Sequence, residues 1–232
     1  MAADRIKSQR HFYKAYFAKR LGRRNSKDES EALAIAGTYD AMRRRGIPSD
    51  EKIKRIIDAT AHRRTLVSNC AMDLLGQCLW NWPQLAPTVT QLLNHPSSST
   101  RLAAIKCAPH LPYTIAARMI RAGLTDKSGV VRCAAAMTAV ILNKKALVTA
   151  LTKAEGSERP GKVRDFLDSA LRYLRDGYNL TRYPDGDVHI WILNGVFERR
   201  CVSEAELKAK GINKLIAEMR NPDSTPASCV LA

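Results

Sequence analysis

Residues 129–142, GVVRCAAAMTAVIL, are one copy of a pattern that occurs three times in the middle of the chain. The other clear copies are STRLAAIKCAPHLP from Ser99 and GKVRDFLDSALRYL from Gly161, and a looser copy, RRTLVSNCAMDLLGQCL, begins at Arg63. A sequence pattern that recurs every roughly 20–50 residues indicates stacked supersecondary units. Each clear copy has an arginine at the same place, with steps of 31 and 32 residues between Arg101, Arg132 and Arg164.

Each copy has the periodicity of a helix. In the copy at Gly129, small and apolar residues fall at the i, i+3, i+4, i+7 and i+10 positions of one helix face. Shorter apolar segments at 86–94, 113–124 and 145–154 predict a second helix between copies, and prolines and glycines mark the turns. One unit is therefore helix, turn, helix, turn. Such units must stack, because a single unit cannot bury its own apolar face.

Residues 126–136, DKSGVVRCAAA, with echoes at Thr100–Ala104 and Val163-Arg164, resemble the HEAT-repeat family in its short form. The resemblance covers residues 62–176. It implies an all-α fold, a HEAT-like α-solenoid of stacked helical hairpins whose second helices line a concave face. Only one copy has the family's turn aspartate, Asp126, so the chain departs from a continuous Asp–Arg ladder. Structural contacts between repeats are the favoured role for the recurring arginines.

The flanking segments predict additions to this frame. Residues 1–61 are interpreted as basic N-terminal helices packed on the solenoid, one of which starts at the capping box Ser26-Lys27-Asp28-Glu29. Alternating residues around Pro184-Asp185-Gly186 predict a two-stranded β-hairpin. A second capping box at Ser203 predicts a closing helix to about Arg220. Residues 177–220 thus form a hairpin and helix cap, and the composition of residues 221–232 predicts a disordered tail.

The charge is distributed unevenly. The chain has 38 Lys and Arg against 22 Asp and Glu, a net charge of +16, of which +15 lies in residues 1–157. A one-sided basic field indicates an anionic partner, either nucleic acid (DNA or RNA) or an acidic protein. No run of 18 or more apolar residues is present, so no transmembrane helix is predicted.

The six cysteines include no CxxC pair, and several lie in apolar helical stripes. This pattern predicts buried free thiols in a reducing, intracellular compartment, the cytoplasm or, in a eukaryote, the nucleus. Neither a metal site nor any other cofactor is predicted. The last four residues, Cys229-Val230-Leu231-Ala232, match the C-a-a-X prenylation pattern, which would give the chain a weak link to membranes. A chance match is the competing interpretation, because no polybasic run precedes Cys229.

The cations outside the repeat positions are the candidate phosphate contacts. Those on the predicted second helices and the preceding turn are Arg118, Arg121, Lys144, Lys145 and Lys153. A second group ends an N-terminal helix, where a solvated helix cap is the competing interpretation: Arg43, Arg44 and Arg45. A third group is Arg20, Arg23 and Arg24. Their segment is interpreted as a docked helix, a phosphate-binding arm or an organellar transit peptide.

Three functions are compatible with these patterns. The favoured one is a non-enzymatic protein that binds nucleic acid through phosphate contacts on a basic concave surface. The second is a protein-interaction scaffold that grips an acidic or helical partner. The third is a DNA glycosylase of the HEAT-like alkylpurine type, but the concave segments contain no Trp, Asp or Glu. No catalytic residues are predicted. For Trp80 and Trp82, core packing is favoured over stacking on bases.

Overall fold

The computed structural model describes residues 26–194 and 196–221. This part of the chain is mostly helical, with a small three-stranded antiparallel sheet near its C-terminal end. It divides into two compact units, the first extending to Ala135 and the second beginning at Ala136. None of the described helices has the length and hydropathy to cross a membrane.

In the described residues, six α-helices precede the helix in which the two units divide: α1 (Ser26–Arg45), α2 (Asp50–Thr60), α3 (Thr65–Asn81), α4 (Ala86–Gln91), α5 (Ser98–Cys107) and α6 (Tyr113–Leu124). The dividing helix is α7 (Gly129–Leu142). The remaining elements are α8 (Val148–Ser157), α9 (Lys162–Asp176), β1 (Tyr178–Arg182), β2 (Asp187–Asn194), β3 (Val196–Ser203), α10 (Glu204–Lys210) and α11 (Ile212–Arg220). The four copies of the pattern form α3, α5, α7 and α9, and the intervening segments form α4, α6 and α8. The predicted alternation of helices is therefore confirmed.

Helices α1 and α3 run parallel, because contacts join both pairs of ends. At their N-terminal ends the Arg64 guanidinium forms an ion pair with Asp28. At their C-terminal ends the indole Nε1 of Trp82 donates a hydrogen bond of 3.3 Å to the carbonyl oxygen of Gly46. One face of α1 is apolar and buried, formed by Ala32, Ile35, Ala36, Tyr39 and Met42.

Helix α6 approaches α5 and α7 closely at Gly123. A Cβ at this position would lie 2.6 Å from Cδ1 of Ile105 and 2.9 Å from Cβ of Ala135. Both distances are shorter than van der Waals contact. A glycine in a helix interior costs about 1 kcal/mol relative to alanine, so close packing is the physical reason for its presence here.

We expect Gly123→Ala to lower the free energy of unfolding by about 1–3 kcal/mol through overpacking, although alanine is the better helix former. Gly37, in the interior of α1, is the matched control because a Cβ there would meet nothing within 4 Å. Gly37→Ala is expected to raise the free energy of unfolding by about 0.5–1 kcal/mol. Denaturant unfolding of both variants measures these values. A stabilised Gly123→Ala protein would contradict the close approach.

The C-terminal β-structure has one strand more than predicted. The predicted hairpin is confirmed, with Tyr178, Leu180 and Arg182 of β1 opposite Ile192, Ile190 and Val188 of β2, but β3 adds a third strand along β2. The strand β3 was not predicted, because two of its positions on the core-facing side carry charged residues. One of them, Arg200, lies opposite Ile190 and forms ion pairs of 2.9 and 2.7 Å with glutamates of α10 and α11. Inward-facing charge is a common feature of edge strands.

The closing helix is also divided. Ser203 caps α10 as predicted, its hydroxyl oxygen accepting a hydrogen bond from the backbone N–H of Glu206. The prediction of a single helix is wrong, because the helix is interrupted at Gly211, where φ is +76°. A positive φ is accessible to glycine and interrupts helical hydrogen bonding. The two short helices cover the apolar face of the sheet, where Val188, Ile190 and Ile192 are buried.

Candidate functional site

The arginine of the first clear repeat copy, Arg101, is buried in a network of four hydrogen bonds. Its Nε and Nη2 donate to the two carboxylate oxygens of Asp126 at 2.7 and 2.9 Å. Its Nη1 donates to the carbonyl oxygens of His95 and Pro96, each at 2.8 Å. The side chains of Arg101 and Asp126 are only 5 % and 10 % exposed. This pair ties the start of α5 to the turn before α7.

The protonation of this pair follows from its surroundings. Desolvation alone would raise the pKa of Asp126, but hydrogen bonds from Arg101 and from the backbone N–H of Ser128, with the charge of Arg101, lower it overall. The hydrogen bond that Arg101 donates to Asp126 in turn raises the pKa of Arg101. Both groups are therefore charged at neutral pH and form an ion pair with each other. Because its guanidinium is occupied in this pair, Arg101 cannot also bind a phosphate.

The other two repeat arginines have structural partners as well. The Nη1 of Arg132 donates to the carbonyl oxygen of Asp126 at 2.6 Å. In the second unit, the Nε of Arg164 donates to Glu155 Oε1 at 2.7 Å. These contacts agree with the structural role predicted for the recurring arginines. The other cations are therefore the candidates for a ligand surface.

Helix α6 presents Arg118 and Arg121 on its exposed side. The opposite side is buried through Ala117, Ile120 and Leu124, which fixes the direction of the exposed stripe. No carboxylate of the described residues forms an ion pair with either arginine. The sequence explains why, since residues 74–125 contain no Asp or Glu at all. The next acid along the chain, Asp126, is already bound to Arg101.

The second predicted group lies at the C-terminal end of α1. Arg44 and Arg45 are exposed, Arg43 is half-buried, and Ile47 after them is 71 % exposed. Three of the four acids of α1 lie in its first two turns, where Asp28 and Glu31 contact Arg64. The fourth, Asp40, lies one turn before Arg44, so the basic end of the helix has one acid nearby.

The two tryptophans near this end have different surroundings. Trp82 is 6 % exposed and contacts Tyr39 edge to face, with ring centroids 6.1 Å apart. Core packing is confirmed for Trp82. For Trp80 the prediction is wrong, because its side chain is 70 % exposed. Its ring lies edge to face with His110, with ring centroids 6.0 Å apart. Side chains two positions apart near a helix end point to opposite sides, so one ring packs inward and the other faces solvent.

The remaining predicted cations lie either in the second unit or outside the described part of the chain. Lys144, Lys145 and Lys153 are exposed and belong to the second unit, whereas Arg118 and Arg121 belong to the first. Glu155, the acid nearest to Lys153 in the sequence, is bound to Arg164. Four predicted residues lie outside the described part of the chain: Arg20, Arg23, Arg24 and Cys229.

The buried thiols agree with the sequence. Cys70, Cys78 and Cys107 are buried and free, and desolvation raises the pKa of each thiol to about 12. These three thiols are therefore protonated at neutral pH. Cys201 is different, since it is exposed on β3.

The sheet gathers a set of side chains that the sequence did not predict. Asp187, His189 and Cys201 offer oxygen, nitrogen and sulfur atoms that all lie within 4.8 Å of one another. Desolvation, the hydrogen bond with Asp187 and nearby negative charge raise the pKa of the Cys201 thiol. The alternation of Asp187 and His189 on β2 was a readable signal. The third member was not, because its position depends on the unpredicted strand β3.

An open cleft of about 490 Å³ lies in the second unit, lined by α9, β1, α10 and α11. Its charges largely cancel, since Arg182 pairs with Glu204 at 3.2 Å on its rim. The first unit instead has Arg118 and Arg121, which form no ion pair with a carboxylate of residues 26–194 or 196–221. No model of a known protein family matches the chain, and neither a curated protein nor a solved structure was found to match it.

Proposed function

We propose that this chain is a non-enzymatic nucleic-acid-binding protein that contacts phosphates through Arg118 and Arg121 of α6. We further propose that its helical pairs follow the HEAT-like arrangement, with the second helix of each pair on the ligand side. In this arrangement the repeat arginines hold the frame, and the cations between them bind the ligand. The chain's localised positive charge supplies the long-range attraction.

One observation carries the proposal: the exposed arginines of α6 have no opposing carboxylate among the described residues. Residues 74–125 contain no acid, and Asp126 is bound to Arg101 in a buried pair. A phosphate approaching α6 therefore meets two guanidinium groups one helical turn apart without local repulsion. Because guanidinium groups match phosphate oxygens in pairs, arginine suits this contact better than lysine.

A second contact supports binding of single strands. Arg44 and Arg45 are exposed at the end of α1, and Trp80 is exposed at the end of the parallel helix α3. An exposed tryptophan provides a face on which an unpaired base can stack, and the arginines can neutralise the adjacent backbone. Among nucleic acids, this combination favours single-stranded segments over a closed duplex.

The test is binding measured by fluorescence anisotropy against a single strand and a duplex of equal length across a range of salt concentrations. For single strands, log affinity should fall linearly with log salt by about 0.7 per phosphate contact. Arg118→Glu/Arg121→Glu should therefore reduce the slope by about 1.4 and weaken binding. An affinity independent of salt in the parent protein would overturn the proposal.

The matched control is Lys208→Glu/Lys214→Glu, which makes the same change in net charge on exposed residues of the nearly neutral C-terminal part. It should leave the slope nearly unchanged. Equal losses in both variants would mean that net charge, not the α6 surface, drives binding. If polyglutamate bound as tightly as nucleic acid, the competing function would be favoured, a scaffold that grips an acidic or helical protein.

A further inference from the structure

The outer face of the β-sheet carries a group of possible metal ligands, which are separate from the basic residues of the first unit. Side chains alternate between the two faces of a strand. Val188, Ile190 and Ile192 point to the buried side. Asp187 and His189, which alternate with them, therefore point to the other side.

The register of the sheet brings a cysteine to this pair. His189 lies directly opposite Cys201 in the β2–β3 ladder. Directly opposed residues of an antiparallel pair have Cβ atoms about 5 Å apart, so their side chains can reach one common point. Asp187, two residues before His189, projects from the same face at the adjacent position.

The donor atoms are close enough to share one ion. The carboxylate oxygen, ring nitrogen and sulfur all lie within 4.8 Å of one another. In a tetrahedral zinc site with bonds of about 2.0–2.3 Å, neighbouring ligand atoms are roughly 3.5 Å apart. Asp187 and Cys201 are both exposed, so their side chains have room to rotate toward a shared ion.

A ring nitrogen of His189 is an independent observation that points to a bound ligand. Its Nδ1 is buried and has no hydrogen-bond partner among the described residues. A buried polar nitrogen without a partner is unfavourable in a native structure, and a bound ion is one established explanation for such an atom. The imidazole is held in position by the Tyr183 ring, whose centroid lies 4.4 Å away.

We propose that Asp187, His189 and Cys201 form a binding site for a divalent transition-metal ion of the zinc class. One sulfur, one nitrogen and one oxygen ligand suit Zn²⁺, whereas Mg²⁺ and Ca²⁺ prefer all-oxygen sets. As the metal–sulfur bond forms, the thiol proton is released to solvent. Three protein ligands leave a fourth position for water or for an exchangeable ligand.

The experiment uses Co²⁺ as the probe, because a cobalt–thiolate bond produces a charge-transfer absorption band that oxygen or nitrogen ligands alone do not. The full chain is titrated in a Cys229→Ser background, which removes the cysteine of the C-terminal tail. We expect one equivalent of Co²⁺ to generate the band, and Zn²⁺ to displace it. Zn²⁺ should also raise the melting temperature.

Three variants at the site locate the ion. Cys201→Ser should abolish the thiolate band. Because loss of outer-shell partners alone weakens metal binding about 10–100-fold, His189→Gln and Asp187→Asn should each weaken it at least about 100-fold. His110→Gln in the first unit is the matched control and should bind Co²⁺ like the parent. Circular dichroism verifies that every variant is folded.

Each alternative result overturns the assignment. No thiolate band in the parent would exclude a cysteine-containing site. A band that persists in Cys201→Ser would locate the metal at another thiol. A band lost in Cys201→Ser but unaffected by His189→Gln and Asp187→Asn would mean simple binding to an exposed thiol.

Discussion

Trp82→Ala is expected to lower the free energy of unfolding by about 3–5 kcal/mol, the range measured for truncation of large buried aromatic side chains. The indole is almost fully buried against Tyr39, and its N–H bonds the carbonyl oxygen of Gly46. Truncation removes this packing and leaves a cavity where the ends of α1 and α3 meet. Denaturant unfolding followed by circular dichroism measures the loss.

Trp80→Ala is the matched control, the same substitution two positions earlier. Its side chain is 70 % exposed, so the expected change in stability is within about 0.5 kcal/mol. If the proposed function is correct, this variant should instead weaken binding of single strands, since stacking contributes about 1–3 kcal/mol per base. Similar losses of stability in both variants would contradict the different surroundings of the two rings.

Arg101→Ala is expected to cost about 3–5 kcal/mol, because it leaves the Asp126 carboxylate buried without its countercharge. It also leaves two carbonyl oxygens without their donor. The double variant Arg101→Ala/Asp126→Ala should cost less than the sum of the single changes, which a double-mutant cycle measures. Arg172→Ala provides the comparison: its pair with Asp168 is exposed, and such pairs contribute about 0–1 kcal/mol.

The same pair predicts a dependence on pH. The pKa of Asp126 is below its ordinary value of 3.8 in the folded protein. A lowered pKa contributes stability that is complete above the ordinary value and is lost as the pH falls through the folded value. The difference in stability between the parent and Asp126→Asn should therefore be constant from neutral pH to about pH 5 and shrink below pH 3.8. A difference that instead grew on acidification would contradict the ion pair.

Much of the helical structure was accessible from the sequence because its signals are local. The repeat spacing, the apolar stripe of α1 and the cap at Ser203 each depend on residues within a few turns of one another. The third strand was not accessible. Its core-facing Arg200 resembles a solvent-exposed residue until glutamates from later helices are brought to it, and this pairing is a property of tertiary structure.

The candidate sites divide in the same way. The sequence identified Arg118 and Arg121 through their spacing on one helix face, and both are exposed there. It could not distinguish Trp80 from Trp82, because the two residues share a local sequence and differ only in what packs against them. The group of Asp187, His189 and Cys201 required the register of an edge strand. Its members come from two paired strands, so no short stretch of sequence contains them together.

The three repeat arginines also bear on how this chain can be engineered. Each occupies the same position in its copy, yet each is held differently: by a buried carboxylate, by a backbone carbonyl and by a half-buried glutamate. The copies are therefore not interchangeable modules. Replacing the Ser99 copy with the Gly161 copy would keep the arginine but change the residues around it. A consensus built by averaging the copies would retain the most regular residue and lose the partners that give it a role.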